Sequence, residues 1–224
     1  MEKTQPTESA ATGGYSVSWK GALRAVHGGD VSGKVPLQQF FERKNIYAVG
    51  PVAGLDGEIT AIDGMFHIAR VKHGEIKTDG DLSTTASFLV WSEVSAWKQP
   101  VVLGKKVDNH AQLEKQIEFL AVKEGVDTTK PFPFIIEGTI ESVDYHILVP
   151  KESHEAGSGH MDSAKKISSK GVAAKIVGFF SKHHEGIFTH KGSAAHLHIL
   201  EGNGESGHVD DIVLNAEARV SFPQ

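Results

Sequence analysis

The pattern of apolar and polar positions divides the chain into a few helical stretches and many short strands. The segment VPLQQFFERK opens with Pro36 at a helix start and carries Leu37, Phe40 and Phe41 on one face, which predicts a helix. Strands are predicted at 46–52 and 58–62, with Leu55-Asp56-Gly57 turning between them. Asp63-Gly64 reads as a hairpin turn into a strand over 65–71, His73-Gly74 as another turn, and 87–92 as a further strand. The plainest helix runs from about Asn109 to Glu124. Asp108 is its expected N-cap, Leu113, Ile117 and Leu120 form its apolar stripe, and Gly125 ends it.

The second half is strand-rich. Segments 134–140 and 143–149 read as two strands around a tight turn, and 151–170, rich in Ser, Gly, Lys and Glu, as a long exposed loop. Strands resume at 173–180, 194–200, 212–214 and 218–222. The polar opening MEKTQPTESAATGG has no apolar signal core and reads as a disordered leader over 1–14. The fold expected is α/β (α+β), with few helices and two sheet-containing lobes, 15–130 and 131–224.

Composition narrows the function. At 224 residues the chain can bury a sizeable core, and 39% apolar with 23% charged residues is ordinary for a globular protein. A net charge of −5 and scattered lysines argue against a nucleic-acid partner, which would need a basic face. No run of about 18 apolar residues is present, so no membrane-spanning helix is expected. The chain has no cysteine, which excludes thiolate catalysis and Cys-based zinc sites and leaves nitrogen and oxygen ligands for any metal. The compartment stays open, cytoplasmic or periplasmic.

The histidines supply the chemistry. In SAAHLHILEGNGESGHVDD, His196 and His198 lie two apart on a strand and so share a face, about 7 Å apart along it. Leu197 and Ile199 face the opposite way. The Gly-rich loop 201–207 can reverse the chain and bring His208 back beside the pair. Three neutral imidazoles suit Zn²⁺, and also Cu, Ni or Fe. The bland alternative is a pair of half-exposed strand histidines with a third in a turn. Glu58, in LDGEITAIDG, offers an oxygen ligand where a strand begins. Glu137, before Gly138, reads either as a hydrogen-bond partner of a ligand histidine or as a strand-end charge. Asp210 and Asp211 either orient His208 or are solvated.

Two segments carry a resemblance. GPVAGLDGEITAIDGMFHIARV and HLHILEGNGESGHV are similar to the Leu-Asp-Gly-Glu and His-x-His…Gly-His segments of bacterial α-acetolactate decarboxylases. GALRAVHGGDVSGKVPLQQFFERKNIYAVGPV and IIEGTIESVDYHILVPK follow the family's order, and the likeness covers roughly residues 20 to 222. It implies zinc bound by His196, His198, His208 and Glu58, and conversion of 2-acetolactate to acetoin and carbon dioxide. The metal would act as a Lewis acid on the substrate oxygens, and a protein acid would deliver a proton.

The chain departs from the family pattern in three places. Tyr145-His146 stands where the family carries a substrate arginine, and an imidazole cannot reproduce a guanidinium fork. The family's second, C-terminal glutamate has no counterpart before Gln224. The segment GFFSKHHEGIFTHKG has lost an arginine and a proline and gained His183, His184 and His190. His146 and His190 are therefore expected at the pocket as acid, base or further ligand, although a KHHEG run is also ordinary solvated turn chemistry. His27, His67, His73, His110, His154 and His160 read as bland. The expected function is a metal-dependent lyase acting on a small hydroxy or keto acid or a related ketol, compatible with a homodimer. The alternatives are a non-catalytic metal- or ligand-binding protein on the same scaffold, or another metal-assisted reaction such as isomerisation or hydrolysis.

Overall fold

The computed structural model describes residues 8–12, 14–150 and 163–224. In chain order the elements are β1 (Glu8–Thr12), β2 (Tyr15–Lys20), α1 (Leu23–His27), β3 (Val35–Pro36), β4 (Ile46–Pro51), β5 (Glu58–Ile62), β6 (Met65–Lys72), β7 (Glu75–Asp79), β8 (Thr85–Ala86), β9 (Leu89–Val94), β10 (Val101–Val102), α2 (His110–Lys123), β11 (Phe132–Leu148), β12 (Ala164–Phe180), β13 (Ala195–Glu201), β14 (Ser206–Leu214) and β15 (Arg219–Ser221). The fold is mostly β-sheet with few helices, as the sequence pattern implied.

The first sheet is antiparallel, in the order β1-β2-β9-β4-β5-β6-β7. The second closes on itself. β11 pairs with β12 along nearly its whole length, β12 with β13, β13 with β14, and β14 returns to the C-terminal half of β11. β15 and then β10 extend the sheet from the N-terminal half of β11. Two bulges interrupt the β11–β14 ladder, between Ile140 and Ser142 and between Asp144 and Tyr145. A bulge inserts an unpaired residue and re-aims side chains. The second one leaves Asp210 without a partner between Val209 and Asp211, and the site depends on it.

β5 is buried on both faces, so its alternation sorts two environments. Ile59 and Ala61 join Val35, Leu37, Phe40 and Ala86 in an apolar layer on one side of the first sheet. Ile62 belongs to the larger core, with residues of the second sheet and of α2. Glu58 and Thr60 share Ile62's face by period two, so they look toward the second sheet.

Several expectations are corrected. The stretch expected as a disordered leader contains β1, paired with β2 from Glu8↔Trp19 to Thr12↔Tyr15. Pro36 opens only a single 3₁₀ turn, Leu37–Phe40. The two strands expected at 134–140 and 143–149 are one strand, because Gly138 and the bulges let β11 bend without turning back. The tail of the expected 151–170 loop is the start of β12, and residues 151–162 lie outside the described residues. Asn109, not Asp108, caps α2, its side chain accepting from the Gln112 N–H at 2.9 Å. The lobes are not separate at 130. β10 pairs with β15, and Leu113, Ile117 and Leu120 of α2 sit in the core shared with the second sheet.

Candidate metal centre

Strand register assembles the site. His198 on β13 lies directly opposite His208 on β14, and His208 lies opposite His146 on β11. These three imidazoles form one cross-strand row, with His196 two residues along β13 from His198. Leu197 and Ile199, on the other face, are fully buried in the core. Glu58 and Thr60 of β5 meet this row from the first sheet. The ligand atoms of His196, His198 and His208 all lie within 4.8 Å of one another.

Each ring is oriented by what its outer nitrogen meets. His196 Nδ1 donates to the Phe188 carbonyl at 2.8 Å, which leaves the Nε2 lone pair free to face His208 Nδ1 at 3.0 Å. His198 Nδ1 contacts Thr60 Oγ1 at 3.1 Å, and its Nε2 is buried with no hydrogen-bond partner, 3.7 Å from Glu58 Oε2. Buried polar atoms are nearly always satisfied, so an orphaned imidazole nitrogen beside a carboxylate marks a place for a cation. Ligands on a tetrahedral zinc lie about 3.3 Å apart for Zn–N bonds of 2.0–2.1 Å. The 3.0 Å His196–His208 separation is close to that spacing. The donor set, three nitrogens and a carboxylate oxygen, fits a zinc-like divalent ion.

Electrostatics agrees with this fit. Burial holds the His196 and His208 imidazoles well below their ordinary pKa and pushes His198 down to about 3, with the neighbouring histidines adding to the effect. The rings are therefore neutral at physiological pH, the form a metal needs. Burial, helped by the negative charge of Asp210, drives the Glu58 carboxyl well above the usual carboxylate range. A cation beside Glu58 would reverse that balance by giving the carboxylate a counter-charge.

The histidines open on a cavity whose apolar wall includes Leu23, Val26, Leu55 and Phe88. His146 and His190 both line it. The bulge at Asp210 sets its carboxylate against His146 Nδ1, 2.9 and 3.0 Å from its two oxygens. The aspartate thus orients His146 rather than His208. Burial lowers the His190 pKa to about 4, and its ring lies 4.9 Å from that of His208. The KHHEG turn divides: His184 stacks on Phe188 and contacts Ser181, while His183 is exposed. Glu137 pairs with Lys175 at 2.6 Å on the far side of β11, away from the centre.

Sequence reasoning missed His27 and Thr60. His27 ends α1 and lines both the cavity and an outer vestibule shared with His110, His190, Ser193 and Asp210. Its VHGGD context looks like any polar turn, and nothing local signals its 5.9 Å approach to His190. Among the described residues, no Arg or Lys lines the cavity or the vestibule.

Gly207 fixes the spacing of β14 against β11. A Cβ there would lie 2.6 Å from the His146 carbonyl oxygen and 2.7 Å from the Tyr145 ring. Gly207→Ala should therefore cost roughly 1–3 kcal/mol of stability through overpacking. It should also weaken metal binding, because the adjacent His208 is pushed away from His198. Denaturant unfolding together with zinc titration checks both effects, and wild-type zinc affinity in a destabilised variant would refute the second.

The family model for alpha-acetolactate decarboxylase matches residues 17–224. The alpha-acetolactate decarboxylase of Bacillus subtilis strain 168 has a similar fold, with a TM-score of 0.73 at 19% identity over 92% of this chain and 84% of that one. A Staphylococcus aureus protein of unknown function, described as similar to alpha-acetolactate decarboxylase, gives a TM-score of 0.69 at 19% identity over the same shares. Among curated proteins no match was found. Because the family model spans nearly the whole chain, including every residue of the histidine centre, the protein belongs to the alpha-acetolactate decarboxylase family.

Proposed function

We propose that the protein is a metal-dependent carbon–carbon lyase of the acetolactate decarboxylase type, acting on a small hydroxy or keto acid or a related ketol. His196, His198, His208 and Glu58 would hold the ion, and zinc suits the donor set best. The observation that carries this reading is the convergence of three buried, neutral imidazoles beside the Glu58 carboxylate, with His198 Nε2 left unpaired. When bound, such an ion supplies Lewis acidity to the oxygen atoms of a chelating substrate.

The chain's own groups do the rest. Leu23, Val26, Leu55 and Phe88 keep water from the cavity and strengthen every polar interaction inside it. His146, locked by Asp210 through Nδ1, turns its Nε2 side to the cavity it lines and can hold a substrate oxygen there. His190, neutral because of its burial, offers a hydrogen bond but no counter-charge. Glu58 can carry a proton at its carboxylate oxygen when that oxygen is not held by the ion.

The test is carbon dioxide release by zinc-loaded protein from a panel of small 2-hydroxy-3-keto and 2-keto acids. Glu58→Gln should lower turnover of the best substrate by about 10²–10⁴-fold, the usual loss for a positioned acid–base group. Glu75→Gln, in exposed β7, should leave it unchanged. No release from any member of the panel by metal-replete protein would favour the non-catalytic alternative. Equal rates in the two variants would remove Glu58 from the site.

A further inference from the structure

The tip of the β13–β14 hairpin carries polar groups that the metal centre does not use. Glu201 ends β13, is 6% exposed, and has a buried Oε1 with no hydrogen-bond partner. Across the turn, the carboxylate of half-buried Glu205 accepts from the Tyr145 hydroxyl at 3.2 Å. Burial raises the pKa of that hydroxyl, and the two carboxylates, which both bear on it, raise it further. A phenol has a single proton to give. It cannot satisfy two carboxylates, and a buried, unpaired carboxylate oxygen is costly. The nearby backbone is already committed: Glu201 N–H donates to the Glu205 carbonyl, and Gly204 N–H to the Glu201 carbonyl. Lys175, which lines the groove beside Glu201, is paired to Glu137 at 2.6 Å.

We infer that Glu201, Glu205 and Tyr145 form a second cation site, separate from the histidine centre, for a hard divalent ion of the calcium or magnesium class. The donors are all oxygen, which selects against the softer metals that imidazoles attract. Two carboxylates match a double positive charge, and the neutral phenol adds a third oxygen. The site bears on the first centre through the hairpin. His198 lies three residues before Glu201 and His208 three after Glu205. Tyr145 packs over Gly207, the neighbour of His208. An ion at the tip would hold closed the hairpin that presents all three imidazoles.

The experiment uses full-length protein, stripped with a chelator and reloaded with one equivalent of zinc. Added Ca²⁺ or Mg²⁺ should raise Tm by roughly 3–6 °C at ten times its dissociation constant. Tb³⁺, a calcium probe, should luminesce on excitation of tyrosine, because Tyr145 is itself a ligand. Glu201→Gln and Glu205→Gln should each weaken the response at least about tenfold, since affinity follows ligand charge, while zinc content stays at the wild-type value. His196→Ala should keep the Tb³⁺ signal, which separates this site from the histidine centre. If Glu201→Gln does not fold, Glu205→Gln alone decides, because Glu205 is half exposed. The inference is overturned if neither Ca²⁺ nor Mg²⁺ moves Tm in the wild type. A Tb³⁺ response of unchanged midpoint in the glutamine variants also overturns it.

Discussion

Replacing His196 or His198 with Ala is expected to empty the histidine centre. Removing a group that merely orients a ligand costs 10–100-fold in metal affinity, so removing a ligand should cost more than about 100-fold. The two positions should fail alike, for different local reasons. His196 is held by the Phe188 carbonyl and faces His208, so its loss removes the best-oriented lone pair. His198 is the ring nearest Glu58, so its loss separates the carboxylate from the remaining nitrogens. Wild-type protein should carry about one zinc per chain after loading and dialysis, and each variant far less than one. Zinc should also raise Tm in the wild type and leave both variants nearly unmoved, because only a folded site binds the ion. Elemental analysis showing wild type and variants equally free of metal, or equally loaded, would sink the centre.

Much of this site was legible before any coordinates. Period-two alternation puts His196 and His198 on one face, and three glycines between Glu201 and His208 let the chain reverse to His208. The register His198↔His208 is what such a hairpin produces. Glu58 was reachable through the Leu-Asp-Gly-Glu resemblance, not from spacing, because it comes from another sheet. What escaped the sequence depends on contacts between distant elements. Asp210 reaches His146 because one bulge shifts the β11–β14 register, and bulges leave no reliable mark in the apolar pattern. His27 reaches the cavity only because α1 packs there, its Leu23 N–H bonding to the Ile187 carbonyl. The Ser- and Lys-rich start of β12 reads as loop because it is solvent-exposed, yet its backbone pairs with β11 from Ala164 onward. Polar composition reports exposure more directly than it reports strand pairing.

The absence of a cationic side chain among the described residues lining the cavity is expected to set its substrate range. His146 stands in the segment where the family resemblance leads one to expect arginine, and Asp210 holds its Nδ1 at 2.9 Å. That side of the pocket therefore presents an imidazole edge with an anion behind it, and no permanent positive charge. A substrate carboxylate would find its counter-charge at the bound ion alone. Acetolactate turnover by the unmodified protein should accordingly be weak or absent. His146→Arg should improve acetolactate binding, and zinc content should not change. The gain should be modest in the single variant, because Asp210 is placed to engage the new guanidinium itself. Adding Asp210→Asn should release it. A charge-assisted hydrogen bond contributes about 1.5–3 kcal/mol, so the double variant should bind acetolactate roughly 10–100-fold more tightly than the unmodified protein. Titration of zinc-loaded protein with acetolactate, alongside acetoin as a neutral comparator, separates charge recognition from shape. Efficient acetolactate turnover by the unmodified protein, insensitive to His146→Ala, would show that the ion alone suffices to hold the carboxylate and that this side of the cavity does not select the substrate.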